Sequence, residues 1–173
     1  MPRALTPSTG VFTPTSKEDS IKHLFRREDG ETLSFDSDLW LCVLDLALIG
    51  GWRPEGTMSP DEELERSAND GMRWQPLAYF LPRGQRIDRR DAREIARCSN
   101  AALADVPDQE LTLRGRSFGR RNTLRSIRRA AEGTPVYPES AEAAVELLSG
   151  SPKVEAQALI AFLRKGVVTI HPA

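Results

Sequence analysis

The chain has 173 residues, with 24 Lys+Arg, 25 Asp+Glu, two His and two Cys, enough for one domain that buries a core without disulfides or metal. Its 39% apolar and 28% charged content suits a soluble globular protein, no apolar run reaches the roughly 20 residues that span a bilayer, and Met1 to Phe12 lacks the apolar block of a secretory signal, so a cytoplasmic location is expected. The net charge is −1, but residues 111–131 hold seven arginines and no acid while the rest carries 17 basic against 25 acidic side chains, a balance of −8; this acidic body argues against a dedicated DNA-binding protein.

Residues 1–20 read as a flexible N-terminal tail, because Pro2, Pro7, Pro14 and the Ser/Thr/Gly residues between them cannot supply a core. Residues 21–173 are expected to form a single mainly helical domain. Asp29-Gly30 marks a turn, and Leu33 and Phe35, alternating with polar neighbours, spell a short strand. A helix is predicted from Asp38 to Ile49, capped by Ser37 or Asp38. It is apolar nearly all round, so it is expected to be buried on more than one face. Gly50-Gly51 ends it, Trp52 folds back near its end, and Arg53-Pro54-Glu55-Gly56-Thr57 makes a tight exit.

Residues 58–76 read as a loop, with Pro60-Asp61-Glu62-Glu63 starting one helical turn and Asn69-Asp70-Gly71 making another turn. Trp74, Leu77, Tyr79, Phe80 and Leu81 are expected to seat this loop on the core. A second helix is predicted from Arg89 to Ala104. Asp88 is its cap, Asp91 completes a capping-box-like pattern with Ile87 as the staple, and Arg90 pairs with Glu94 on the solvent side. A third helix is predicted from Asn122 to Ala131, with Leu124, Ile127 and Ala131 inward and Arg121, Arg125, Arg128 and Arg129 outward. A fourth runs from Glu139 to Leu148. A fifth runs from Pro152 to Lys165, with Ser151 as cap and Gly166 as stop. Val167 to Ile170 is β-branched throughout and reads as a terminal strand. The expected fold class is therefore mainly α, a compact helical domain with one or two short β segments.

Signatures of chemistry are few. The sequence holds no Gly-rich phosphate loop, no His-Glu-x-x-His and no Cys-x-x-Cys. His23 and His171 are remote from each other and from any carboxylate cluster, so no metal site and no cofactor are expected. Cys42, inside an apolar helix, reads as an inert core thiol. Cys98 lies among Arg93, Arg97 and Ser99, where a lowered pKa is the alternative to a filler role. Gly84, Gly115 and Gly119 read as turns. Trp40 reads as core. Trp52 and Trp74, next to loops, are candidate interface anchors as well as core aromatics.

The residues Trp40-Leu41-Cys42-Val43-Leu44-Asp45-Leu46-Ala47 and Gly51-Trp52-Arg53-Pro54-Glu55-Gly56-Thr57 form a W-x-x-(L/V)-L-x-L-A-x-x-x-G-W-x-P-x-G-T pattern. Tyr79, Gly84-Gln85-Arg86-Ile87 and Asp91-Ala92-Arg93-Glu94-Ile95-Ala96 continue it, and Phe162-Leu163-Arg164-Lys165-Gly166-Val167-Val168-Thr169-Ile170 closes it. This arrangement resembles a family of small uncharacterised bacterial proteins. It departs from that pattern at Arg83, where an Asn-Asp turn is usual, and at Val167-Val168, where Gly and Phe are usual. The resemblance implies a mostly helical soluble domain and no established activity.

Three functional classes follow. The first is a non-catalytic protein-binding module, an immunity protein that neutralises a basic toxin being its most concrete form, since an acidic body complements a basic partner. The second is nucleic-acid or polyanion binding through the segment 114–129. The third is an enzyme using Cys98 or the carboxylates near Glu63. The partner-contacting candidates are Trp52, Trp74, Arg114, Arg116, Arg120, Arg121, Arg125, Arg128 and Arg129.

Overall fold

A computed structural model describes residues 21–58, 78–111, 120–133 and 141–173. The expected tail, the acid-rich loop with Glu63 and Trp74, and Arg114, Arg116, Gly115 and Gly119 lie outside the described residues.

The chain enters as a hairpin. Strand β1 (Lys22–Arg27) pairs antiparallel with β2 (Thr32–Asp36). Gly30, at φ 87°, makes the turn between them, with Arg27 N–H donating to the Glu31 carbonyl at 2.9 Å. Strand β2 runs straight into helix α1 (Ser37–Ile49). The cap is Asp36, rather than Ser37 or Asp38: its Oδ1 accepts from the N–H groups of Asp38 at 2.8 Å and Leu39 at 3.1 Å.

Every residue from Trp40 to Leu48 in α1 is buried. That is why the helix shows no clean amphipathic stripe: it is the central rod of the fold. It packs against α2 (Arg89–Leu103), α3 (Arg120–Ala131) and α4 (Ala141–Leu148), while α2 also meets α5 (Ser151–Leu163). A single 3₁₀ turn, Ala78–Phe80, precedes the three-residue strand β3 (Gln85–Ile87), and β4 (Val168–Pro172) closes the chain.

The four strands form one antiparallel sheet in the order β2-β1-β4-β3. Its inner face contributes Phe25, Phe35, Ile87, Val168 and Ile170 to the core, while Lys22, Arg26, Thr32 and Ser34 face solvent. The outer edge of β3 is covered by Met58, whose N–H and carbonyl both bond Arg86 at 2.9 Å.

The fold class is thus α+β, correcting the mainly helical expectation. The sheet is assembled from segments of three to six residues. β1 is charged at both ends, and β3 is too short to show alternation. β1 is paired locally by the β2 hairpin, but its second edge and the whole of β3's ladder within the sheet are supplied by β4, which arrives from the far end of the chain, a non-local gain that no local pattern encodes.

Smaller departures have local causes. Gly150, at φ 70°, occupies the N-cap of α5 without a side-chain bond, and Ser151 is already helical. Glu94 pairs with Arg97 at 2.8 Å, while Arg90 reaches Glu55 at 3.1 Å. Helix α3 begins at Arg120, two residues before the predicted start, and α2 ends at Leu103.

Candidate functional site

The end of α1 meets the C-terminal half of α2 at a close crossing. A Cβ on Gly50 would lie 2.3 Å from the Cys98 carbonyl oxygen, so only glycine permits this approach. Gly51, at φ 91°, then turns the chain, and Trp52 N–H bonds back to the Ala47 carbonyl at 2.8 Å. The indole is thereby driven under the bend rather than outward.

Around it lies a buried polar cluster. Trp52 Nε1–H donates to Asp91 Oδ1 at 2.7 Å, and the Tyr79 hydroxyl donates to Asp91 Oδ2. The same hydroxyl accepts from Gly56 N–H at 2.8 Å. Trp40 Nε1–H donates to the Tyr79 carbonyl at 2.8 Å, and the Trp52 and Tyr79 rings meet edge to face at 5.1 Å. Asp91 and Tyr79 are both 0% exposed. Thr57, also buried, donates to Gln85 Oε1 at 3.3 Å.

Burial pushes the Asp91 carboxyl up to about 6, against the pull of its two hydrogen bonds from Tyr79 and Trp52. Burial, reinforced by the Asp91 charge, pushes the Tyr79 phenol far above its usual range. Each Asp91 oxygen is taken by a donor of the chain, so the cluster acts chemically as a clamp. It ties the exit from α1, the 3₁₀ turn and the first turn of α2 to one carboxyl group, and so holds the residues on both sides of segment 59–77.

Trp40, Trp52, Gly56, Tyr79 and Asp91, which are far apart in sequence, are gathered here. Sequence reasoning missed the cluster itself. It placed Asp91 in a capping box, whereas Asp88 alone caps α2, its Oδ1 accepting from Arg90 N–H at 2.5 Å. No local signal in the sequence links Asp91 to Tyr79 and Trp52, which are 12 and 39 residues away from it.

Trp52, a candidate interface anchor, is 2% exposed, with its indole N–H bonded to Asp91 and its ring against Tyr79. Arg120 and Arg121 open α3. Arg125 and Arg128, one turn apart, are exposed, and among the described residues neither is in an ion pair. Arg129 is half-buried and engaged with another group. Ile127, on the inner face of α3, is fully buried.

Both cysteines are free and buried. Burial raises the Cys42 thiol well above its usual range and raises Cys98 too, although Arg97 Nη2, 3.2 Å from its sulfur, pulls it down. Cys98 therefore lacks the lowered pKa that a nucleophile needs. His23 is buried in β1, edge-on to Phe25. His171 Nε2 lies 2.9 Å from Thr169 Oγ1. Gly84, at φ 80°, turns the chain into β3 and donates to the Ile170 carbonyl at 2.7 Å. Among the described residues, no three His, Cys, Asp or Glu side chains gather to hold a metal ion, and no helix is long and apolar enough to cross a membrane.

No known family model, curated protein sequence or solved structure matches this chain.

Proposed function

We propose that the chain is a non-catalytic, cytoplasmic protein-binding module of the immunity type, which neutralises a basic toxin by covering it. One observation carries this reading. Among the described residues, the nucleophilic and perturbed titratable side chains Cys42, Cys98, Tyr79 and Asp91 are sealed in the core, and Tyr79 and Asp91 are spent on bonds within the chain. What the protein offers a partner is charge. Outside segment 111–131 the acidic excess is 8, and such a field accelerates encounter with a basic surface and selects against acidic ones.

The test is affinity capture with the full chain from its native host, after nuclease treatment. A stoichiometric basic protein released by rising salt is the expected result. Failure to retain any protein partner defeats the reading.

A second reading rests on the exposed pair Arg125 and Arg128 on α3. Arginines at this spacing, continued by Arg120 and Arg121 in the same helix, suit consecutive phosphates. Fluorescence polarisation with labelled single-stranded RNA and DNA at low salt separates the two. Binding that falls steeply with salt and is lost in Arg125→Glu/Arg128→Glu favours the polyanion.

A further inference from the structure

A cavity of about 240 Å³ opens where the start of β1, the first turn of α1 and the chain after the 3₁₀ turn converge. Ile21, Leu41, Phe80 and Pro82 give it apolar lining, Ser37 and Asp38 give it polar lining, and His23, which has a partner, also lines it. It is smaller than the roughly 300–1,000 Å³ sites that hold drug-sized ligands. It matches a single long side chain.

The charge at its mouth can be assigned group by group. Asp36 is committed as the α1 cap and stands directly opposite Lys22 in the β1–β2 register. The two backbone N–H groups at the head of α1 that Asp36 binds are therefore satisfied, and its carboxylate already offsets the positive end of the helix dipole. Asp38 is exposed, and among the described residues it has no ion pair and its carboxylate accepts no hydrogen bond. A negative charge with no ion-pair partner among the described residues thus stands beside a slot of apolar walls. Ile21, 71% exposed, extends the apolar surface outward as a lip.

An apolar-walled slot with an exposed carboxylate in its lining is complementary to a side chain with an aliphatic stem and a cationic tip. We infer that this cavity receives a long basic side chain, arginine or lysine, from the surface of the partner protein, with the stem against Leu41, Phe80 and Pro82 and the cation at Asp38. The inference rests on the protein-binding reading above and gives that interface an anchor point.

The test needs no knowledge of the partner. The full chain, labelled with ¹⁵N, is titrated with the peptides acetyl-Gly-Gly-Arg-Gly-Gly-amide and acetyl-Gly-Gly-Lys-Gly-Gly-amide, and with their norleucine counterpart. Saturable amide shifts at Ser37, Leu41 and Phe80 with at least one basic peptide are expected, with about three- to fivefold weaker binding of norleucine. Asp38→Asn should weaken the basic peptide by a similar factor and leave norleucine unchanged, while the rest of the spectrum shows the fold intact. Absence of saturable shifts at these amides, equal binding of norleucine, or indifference to Asp38→Asn overturns the inference. So do nuclear Overhauser contacts from residues 1–20 to Leu41 or Phe80 in the free protein, which would give the cavity to the chain's own N-terminal segment. A negative peptide result beside a captured basic partner refutes this anchor alone. Capture of no partner refutes the parent reading.

Discussion

Replacing Tyr79 by Phe removes one oxygen atom from the middle of the core and nothing else. That oxygen donates to Asp91 Oδ2 and accepts from Gly56 N–H. Its loss strands a buried amide, at about 1–3 kcal/mol, and removes a bond to an ionised acceptor, at about 1.5–3 kcal/mol. The ring remains and still packs edge to face on Trp52, so the transfer and cavity costs are small. The expected loss near neutral pH is therefore about 3–5 kcal/mol, a large part of a typical domain's stability.

The sign of the pH dependence is set by Asp91. Its carboxyl is held at about 6 in the fold against an ordinary 3.8, so folding takes up a proton. The group's favourable contribution is complete below about pH 4 and is lost as pH rises through 6, at a final cost of about 3 kcal/mol. Tyr79→Phe removes a bond that favours the ionised form and drives this value higher still. The deficit of the variant must then grow with pH, from about 1–2 kcal/mol at pH 5 to the full loss at pH 8. Urea unfolding of the wild type and Tyr79→Phe at several pH values between 5 and 8 measures this difference, with the other titrating groups common to both. A deficit under about 1 kcal/mol at pH 8, or one that is flat across the range, refutes the assignment of the cluster as a clamp built on a buried carboxylate.

Other consequences are simpler. Gly50→Ala places a Cβ 2.3 Å from the Cys98 carbonyl oxygen, a backbone atom within α2, so α1 and α2 must separate and stability should fall by about 3 kcal/mol in denaturant titration. Asp36→Ala removes the acceptor of two N–H groups at the head of α1 and should cost about 1 kcal/mol, whereas Asp36→Asn should restore most of it. Cys42 and Cys98, buried and with thiols raised by burial, should react with a thiol reagent slowly in the native protein and rapidly once urea is added. The pair Arg125→Glu/Arg128→Glu, altering exposed positions, should leave the unfolding midpoint within the range of about 0.5 kcal/mol typical of surface changes.

The helices were legible because their signals are local. The run Leu39 to Ile49 ended by Gly50-Gly51, Asp88 before Arg89, and Gly166 after Arg164-Lys165 each act within a turn or two of the residues that read them, and the burial of α1 on all sides followed from its lack of a polar face. The inward turn of Ile127 and the outward turn of Arg125 and Arg128 came from the same periodicity. Beyond the local β1–β2 hairpin, the sheet and the clamp depended on encounters between distant segments. His23 stands beside Pro172 only after the whole domain has closed, and Trp52 and Tyr79 meet Asp91 across separations of 39 and 12 residues. A strand of three residues and a buried carboxylate are unfavourable taken alone, the first for want of partners and the second for want of water. Only tertiary packing supplies the neighbours that make each of them stable.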